Sequence, residues 1–225
     1  TDMGVNRAGF AIVDDSATRE AAMEEIIRRC FRYRCEYAMG FADRETEQRV
    51  LLLMEECGLD PEHRKVVAPA RDAARAAQEE NKGNEGIYCG AAIQLKDGTI
   101  ITGSNSPLMH ASTSLVIRAI KHLAGIPEKL KLLPDHITDS VYKLKTEILE
   151  EKAVSLDLEE ALIALSISAT TNHAAQLALE TLKELRGCEV HMTHIPTPGD
   201  EAGLRRLGVN LTSDPDFSTK NLFIA

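Results

Sequence analysis

The stretch from Ile87 to Gly125 constrains this chain more than any other, because it sets out a strand, a tight turn, a second strand, a polar loop and a helix in that order. Tyr88–Leu95 and Thr99–Thr102 are rich in small and β-branched residues, and Lys96-Asp97-Gly98 between them reads as a short hairpin connection. The polar loop Gly103-Ser104-Asn105-Ser106-Pro107 follows. His110-Ala111-Ser112-Thr113-Ser114 then opens a helix in which Leu115, Val116, Ala119, Ile120 and Leu123 recur at helical spacing, so one face is buried. Side chains on such a loop lie where a ligand would meet unpaired helix N–H groups.

Composition narrows the function classes. The 225 residues carry a formal charge of −9, which argues against nucleic acid or an acidic membrane as partner. Aromatic residues make up 4% and there is no Trp, so platforms for stacking bases are not expected. The cysteines at 30, 35, 57, 89 and 188 show no CxxC spacing and read as reduced core residues of a cytoplasmic protein. No membrane span or signal peptide is read in the sequence. The opening Thr1-Asp2-Met3 reads as mid-pattern, as though cut from a longer protein.

Taken in order, Phe10–Val13 is a short apolar run before Asp14-Asp15. Met23, Ile26, Ile27, Cys30 and Phe31 form the stripe of a first helix. A second helix runs from about Asp43 to Cys57, and an alanine-rich one opens near Pro69. Asn81-Lys82-Gly83-Asn84 breaks the pattern and is read as a boundary between a mainly helical segment, 1–84, and an α/β domain with few strands, 85–225. Further helices are expected at Thr138–Glu151, Asp157–Ser168 and His173–Arg186. A strand is expected at Cys188–Ile195, a helix from Pro198 to about Leu207, and a last strand at Gly208–Thr212. The fold class is mixed α/β.

Two loops carry similar chemistry. Asn105, Ser106, His110, Ser112 and Thr113 lie on one, and Thr171, Asn172 and His173 on the other, each giving hydroxyls, an amide and a histidine near a helix start. If they converge they form a cradle for a small anion, and His110 or His173 would be the acid/base group, since histidine titrates near neutral pH. The plainer alternative is that Ser, Thr and Asn cap helices. His191 and His194 fall on opposite faces of the expected strand and are not read as a metal pair. H-E-x-x-H, G-x-S-x-G and the Walker lysine motif are absent.

The hairpin with its D-G turn, the T-G-x-N loop at Thr102–Asn105 and His110-Ala111 at a helix start resemble the core of the cytidine-deaminase-like fold. Those deaminases carry a glutamate after the alanine and a P-C-x-x-C on a later helix. Here Ser112 replaces the glutamate and no P-C-x-x-C exists, so the resemblance implies the fold without zinc chemistry. A wider resemblance runs through Thr1–Phe10, Ile12-Val13-Asp14-Asp15, Leu144-Lys145-Thr146-Glu147, Leu162–Ile167, Leu185–Glu189 and Leu207–Thr212. These stretches resemble the second half of a bacterial uncharacterised protein family about twice this length, some members of which are labelled ATP-dependent zinc proteases. The family resemblance implies a glycine-rich, phosphate-binding segment in the other half, where ATP or another nucleotide would be the cofactor. No cofactor is assigned to this chain.

Together these readings predict an α/β chain that binds a nucleotide or another small anion with its own N-terminal half as partner, and that forms a homo-oligomer. Asp2, Asn6 and Arg7 would face that missing half. The rival reading is a non-catalytic scaffold built on the alanine-rich helices.

Overall fold

The computed structural model describes residues 15–151 and 154–219. They fall into two compact units, one ending at Arg64 and one beginning at Lys65. Asp2, Asn6, Arg7 and the apolar run Phe10–Val13 lie outside the described residues.

The first unit holds α1 (Asp15–Ala38), α2 (Arg44–Glu56) and a 3₁₀ turn, Pro61–His63. Ile27, Cys30 and Phe31 of the expected stripe are buried on α1, as are Val50 and Met54 on α2. Asp43 starts α2 by accepting a hydrogen bond from the Thr46 N–H at 2.7 Å, which satisfies one of the orphan donors of a helix start.

The second unit is a four-stranded sheet with helices on both faces. Its elements in order are α3 (Val67–Glu79), β1 (Gly90–Gln94), β2 (Ile100–Ser104), α4 (Ala111–Leu123), α5 (Asp135–Lys143), a π-helical turn (Leu144–Ile148), α6 (Leu158–Ser168), α7 (His173–Thr181), a 3₁₀ turn (Leu182–Leu185), β3 (Glu189–Met192), α8 (Pro198–Leu207) and β4 (Asn210–Ser213). Strand order is β2-β1-β3-β4, antiparallel except for the β3–β4 pair. The architecture is mixed α/β. Gly98, at φ +88°, makes the β1–β2 hairpin turn, a conformation that glycine adopts without strain.

Side-chain alternation divides the sheet between two layers. Ala91 and Ile93 of β1, with Val190 and Met192 of β3, join Leu115, Ala119 and Ile120 of α4 in the main core, which also takes in Leu158, Leu165 and Leu204. Ala92 faces the other way and packs with Val66 and Ala70 at α3. A Cβ on Gly90 would lie 2.1 Å from the Ala70 carbonyl oxygen and 2.6 Å from the Ala74 nitrogen, so α3 rests directly on the backbone of β1. This differs from the boundary read at Asn84. The alanine-rich helix belongs with the sheet, because its small side chains permit that close approach, and the unit begins at Lys65.

Several elements end sooner than the sequence indicates. The strand expected to run to Ile195 stops at Met192, so His194 lies in the bend that follows it. The helix expected at Thr138–Glu151 begins at Asp135 and widens into the π turn, where the Leu149 N–H donates to the Leu144 carbonyl at 3.0 Å. No helix among the described residues is long and apolar enough to cross a membrane.

Candidate functional site

The starts of three helices meet on one carboxylate. Asp200 lies in the first turn of α8 and is fully buried. Its Oδ1 accepts from Ser112 Oγ at 2.6 Å and from the Leu158 N–H at 3.0 Å, while Oδ2 accepts from Thr197 Oγ1 at 2.8 Å and pairs with His110 Nδ1 at 2.8 Å. Ser112 belongs to α4, Leu158 to α6 and Thr197 caps α8, so the positive ends of three helix dipoles point at one negative group.

Local sequence explains the assembly. The His110 N–H donates to the Leu156 carbonyl, the Leu156 N–H donates to the Leu108 carbonyl, and Thr113 Oγ1 donates to Leu156 oxygen at 3.1 Å, which fastens the loop before α4 to the segment before α6. Asp157 and Glu160 form a reciprocal capping box on α6. A Cβ on Gly199 would sit 2.0 Å from Asp157 Oδ2, so only glycine there lets the start of α8 approach this cap. Lys145, on the π turn, is buried and donates to Glu160 Oε2 at 2.9 Å and to the Ser155 carbonyl at 3.1 Å.

The charges follow from this geometry. Burial pushes the Asp200 carboxyl up, but hydrogen bonds from His110, Ser112 and Thr197 outweigh it and hold the group below the ordinary carboxylate range. Burial would likewise lower His110, yet its bond to Asp200 and the charges of Asp200 and Asp157 raise it above the usual histidine value. An ionised carboxylate only accepts, so His110 Nδ1 carries the proton in that bond. The His110 side chain is 23% exposed, and its Nε2 has no partner among the described residues. Next to this pair, burial pushes His194 down to about 4, with the His110 charge adding to the effect and Asp200 opposing it. Its Nδ1 is buried without a hydrogen bond. Burial, helped by the Asp200 charge, pushes the Cys89 thiol up to about 12.

The two polar loops do not share partners. His110, Ser112 and Thr113 gather at the start of α6, whereas Thr171, Asn172 and His173 lie beyond its end, about 15 Å away at 1.5 Å per residue over Leu158–Ser168. Asn172 caps α7, accepting from the Ala174 and Ala175 N–H groups, and Thr171 and His173 are exposed. The convergent cradle expected from sequence is therefore not formed by these loops. Asn105 serves the backbone, accepting from the Cys89 N–H at 2.8 Å and donating to the Ile87 carbonyl at 2.9 Å. Ser106 Oγ closes its own turn by accepting from the Leu108 and Met109 N–H groups.

Asp200 was not among the residues singled out from sequence, and His194 was weighed there only as a metal ligand with His191 and set aside. Asp200 stands three residues after the Thr197 cap, which reads as an ordinary capping arrangement. Its partners are 42, 88 and 90 positions away, and no local pattern connects them. Among the described residues no group of three or more His, Cys, Asp or Glu side chains is arranged to hold a metal ion.

Comparison with known proteins places this site in a family context. Residues 62–223 match the profile described as "Domain of unknown function DUF1846, C-terminal", and residues 1–58 match "Domain of unknown function DUF1846, N-terminal". The likeness is thus not confined to the family's C-terminal domain. A UPF0371 protein of Clostridium botulinum (strain Alaska E43 / Type E3) is 46% identical over 223 residues, and one of Clostridioides difficile (strain 630) is 44% identical over 223 residues. In each case the match covers 99% of this chain but only 44% of the relative's length.

Proposed function

The chain belongs to the DUF1846 family, and we propose that the unit from Lys65 onward binds an anionic small molecule at His110, with nucleotide phosphates as the first class to test. One observation carries this reading. His110 is biased toward its protonated form by a buried carboxylate yet remains 23% exposed, at the start of a helix with no side-chain cap. Asp200 sits behind the ring with 0% of its side chain exposed and takes the Nδ1 proton, so His110 in its protonated form offers the Nε2–H outward beside the positive end of α4. The same proton suits general acid chemistry if a reaction occurs there.

The likeness to cytidine deaminases supports a site in this place but not their chemistry. The glutamate position holds Ser112, whose hydroxyl is bound to Asp200, and His110 Nδ1 is bound to Asp200 too. The donor set does not fit a zinc site. The chain spans 44% of its relatives' length, and the remaining ligand contacts would come from the rest of the family protein. A cytoplasmic location and nucleotide binding in that other part complete the proposal.

The test is a titration of the chain with inorganic phosphate and with ATP, followed through the His110 imidazole resonances, alongside native mass spectrometry of the protein as purified. Saturable movement of those resonances in the wild type, together with binding heats by calorimetry that are lost in His110→Gln, supports the site. Unmoved resonances and no co-purified anion refute it. A second reading, a self-associating scaffold, is favoured by Ile148, Ile163 and Ile167, which are 72%, 64% and 54% exposed. The same mass spectra, showing a defined oligomer with no ligand, would support it.

A further inference from the structure

A groove of about 440 Å³ runs between the Asn81-Lys82-Gly83 turn and the loop that leads to His110. Its walls include Lys82, Ser104, Ser106, Met109 and Ser114. Met109 directly precedes His110, and Ser114 lies one turn along α4, its N–H donating to the His110 carbonyl at 3.0 Å. The groove therefore flanks the same helix start as the His110–Asp200 pair.

Its chemistry is selective. None of the lining residues is acidic, although the chain carries 35 Asp and Glu, and Lys82 supplies an ammonium that also meets Glu80 at 2.6 Å at the rim. None is aromatic, so the groove offers no surface on which a base would stack. Its lining combines the hydroxyls of Ser104, Ser106 and Ser114 with the apolar side chains of Met109 and Pro107. Ser106 Oγ accepts from two backbone N–H groups, and its own proton remains available for a guest. The groove walls are held by hydrogen bonds, with Asn105 tied to Cys89 and Ile87 and the Tyr88 hydroxyl tied to Asn81. The volume falls in the ordinary range for a small-ligand site, about 300 to 1,000 Å³.

We infer that this groove receives the hydroxylated body of a phosphorylated small molecule, a sugar phosphate, whose anionic group is held by His110. The inference rests on the reading of His110 as the anion-holding residue and adds the class of ligand. An acid-free, hydroxyl-lined wall recognises a polyol by exchanged hydrogen bonds, and the missing aromatic surface disfavours a nucleobase in the same space.

The test compares inorganic phosphate with ribose 5-phosphate as probes, by calorimetry and by the His110 resonances, in the wild-type chain and in Ser114→Leu. Ser114 is only partly buried and makes no side-chain bond among the described residues, so leucine there fills the groove without breaking a bond in the core. Ribose 5-phosphate should bind at least about ten-fold tighter than phosphate, the worth of one or two net hydrogen bonds. Ser114→Leu should abolish that advantage and leave phosphate binding unchanged. Equal affinity of the two probes, or an advantage that survives the leucine, overturns the groove while the His110 site stands. If neither probe moves the His110 resonances, the anion reading fails and the groove inference falls with it. A Lys82→Ala chain, altered at an exposed position, gives a second check: it should weaken ribose 5-phosphate more than phosphate.

Discussion

An Asp200→Asn substitution keeps the size of the buried side chain and removes its charge. The amide oxygen can still accept from Ser112 Oγ and the Leu158 N–H, while the amide nitrogen replaces the oxygen that faces His110 Nδ1 and Thr197 Oγ1. His110 must then present a lone pair at Nδ1, which requires the neutral imidazole, so one charge-assisted hydrogen bond worth about 2 kcal/mol is lost. The pH dependence has a definite sign. His110 is raised in the folded chain, so its contribution is complete below the unfolded value of about 6.5 and disappears as pH climbs through the folded value. Asp200 is lowered, so its contribution is present above about pH 3.9 and fades as pH falls through the folded value. The wild type should therefore exceed the variant most between about pH 4 and about pH 6.5, and less in mild alkali. Urea unfolding at several pH values measures the difference, and the His110 resonances in the variant should titrate below those of the wild type. A stability gap that is the same in mild acid and mild alkali, or an unchanged His110 titration, would refute the ion-pair account. Asp200→Ala is expected to cost more, about 4 kcal/mol, because Ser112 Oγ and the Leu158 N–H are left buried without an acceptor.

Three other outcomes are expected. His194, neutral in the folded chain with its pKa pushed down to about 4, takes up a proton on unfolding at mildly acidic pH, so stability should fall between about pH 6.5 and about pH 4 by about 3 kcal/mol. His194→Gln should flatten that part of the urea-unfolding profile, and an unchanged slope would count against the assignment. Gly90→Ala would place a methyl 2.1 Å from the Ala70 carbonyl oxygen and should cost about 3 kcal/mol in thermal or urea unfolding as α3 is driven off the sheet. In the native chain at mildly alkaline pH a thiol reagent should label the exposed Cys57 first, while Cys89, with its thiol pushed up to about 12, should react only on unfolding; mass spectrometry of digests reads both.

What the sequence made legible was local. The Asp97-Gly98 turn, the apolar stripe of α4, the helix starts near Asp43 and Asp157 and the Thr197-Pro198 helix start all depend on residues a few positions apart, and each has its observed counterpart. Polar loop residues were harder to assign, because a hydroxyl or amide that caps backbone and one that binds a ligand leave the same trace. Asn105 and Asn172 proved to serve backbone groups. The His110–Asp200 pair spans 90 residues and arises from packing three helix starts against one another, so neither partner's sequence neighbours announce it. The place of α3 was missed for the opposite reason. Alanine repeats look the same on a solvent-facing helix as on one lying against a strand, and only the glycine at position 90, on the partner strand, records the contact.

The π turn at Leu144–Ile148 carries a consequence for changes in chain length. It accommodates one residue more than an α-turn would, and Lys145 is buried on it, while Leu144 beside it is 45% exposed. Deleting Leu144 would restore ordinary winding and carry Lys145 about 100° around the axis, into the outward direction Leu144 now occupies. Not one charged residue would have been removed, yet Glu160 would lose its ammonium and the cap on α6 would lose its support. At this point in the chain an insertion or deletion acts as a change of charge.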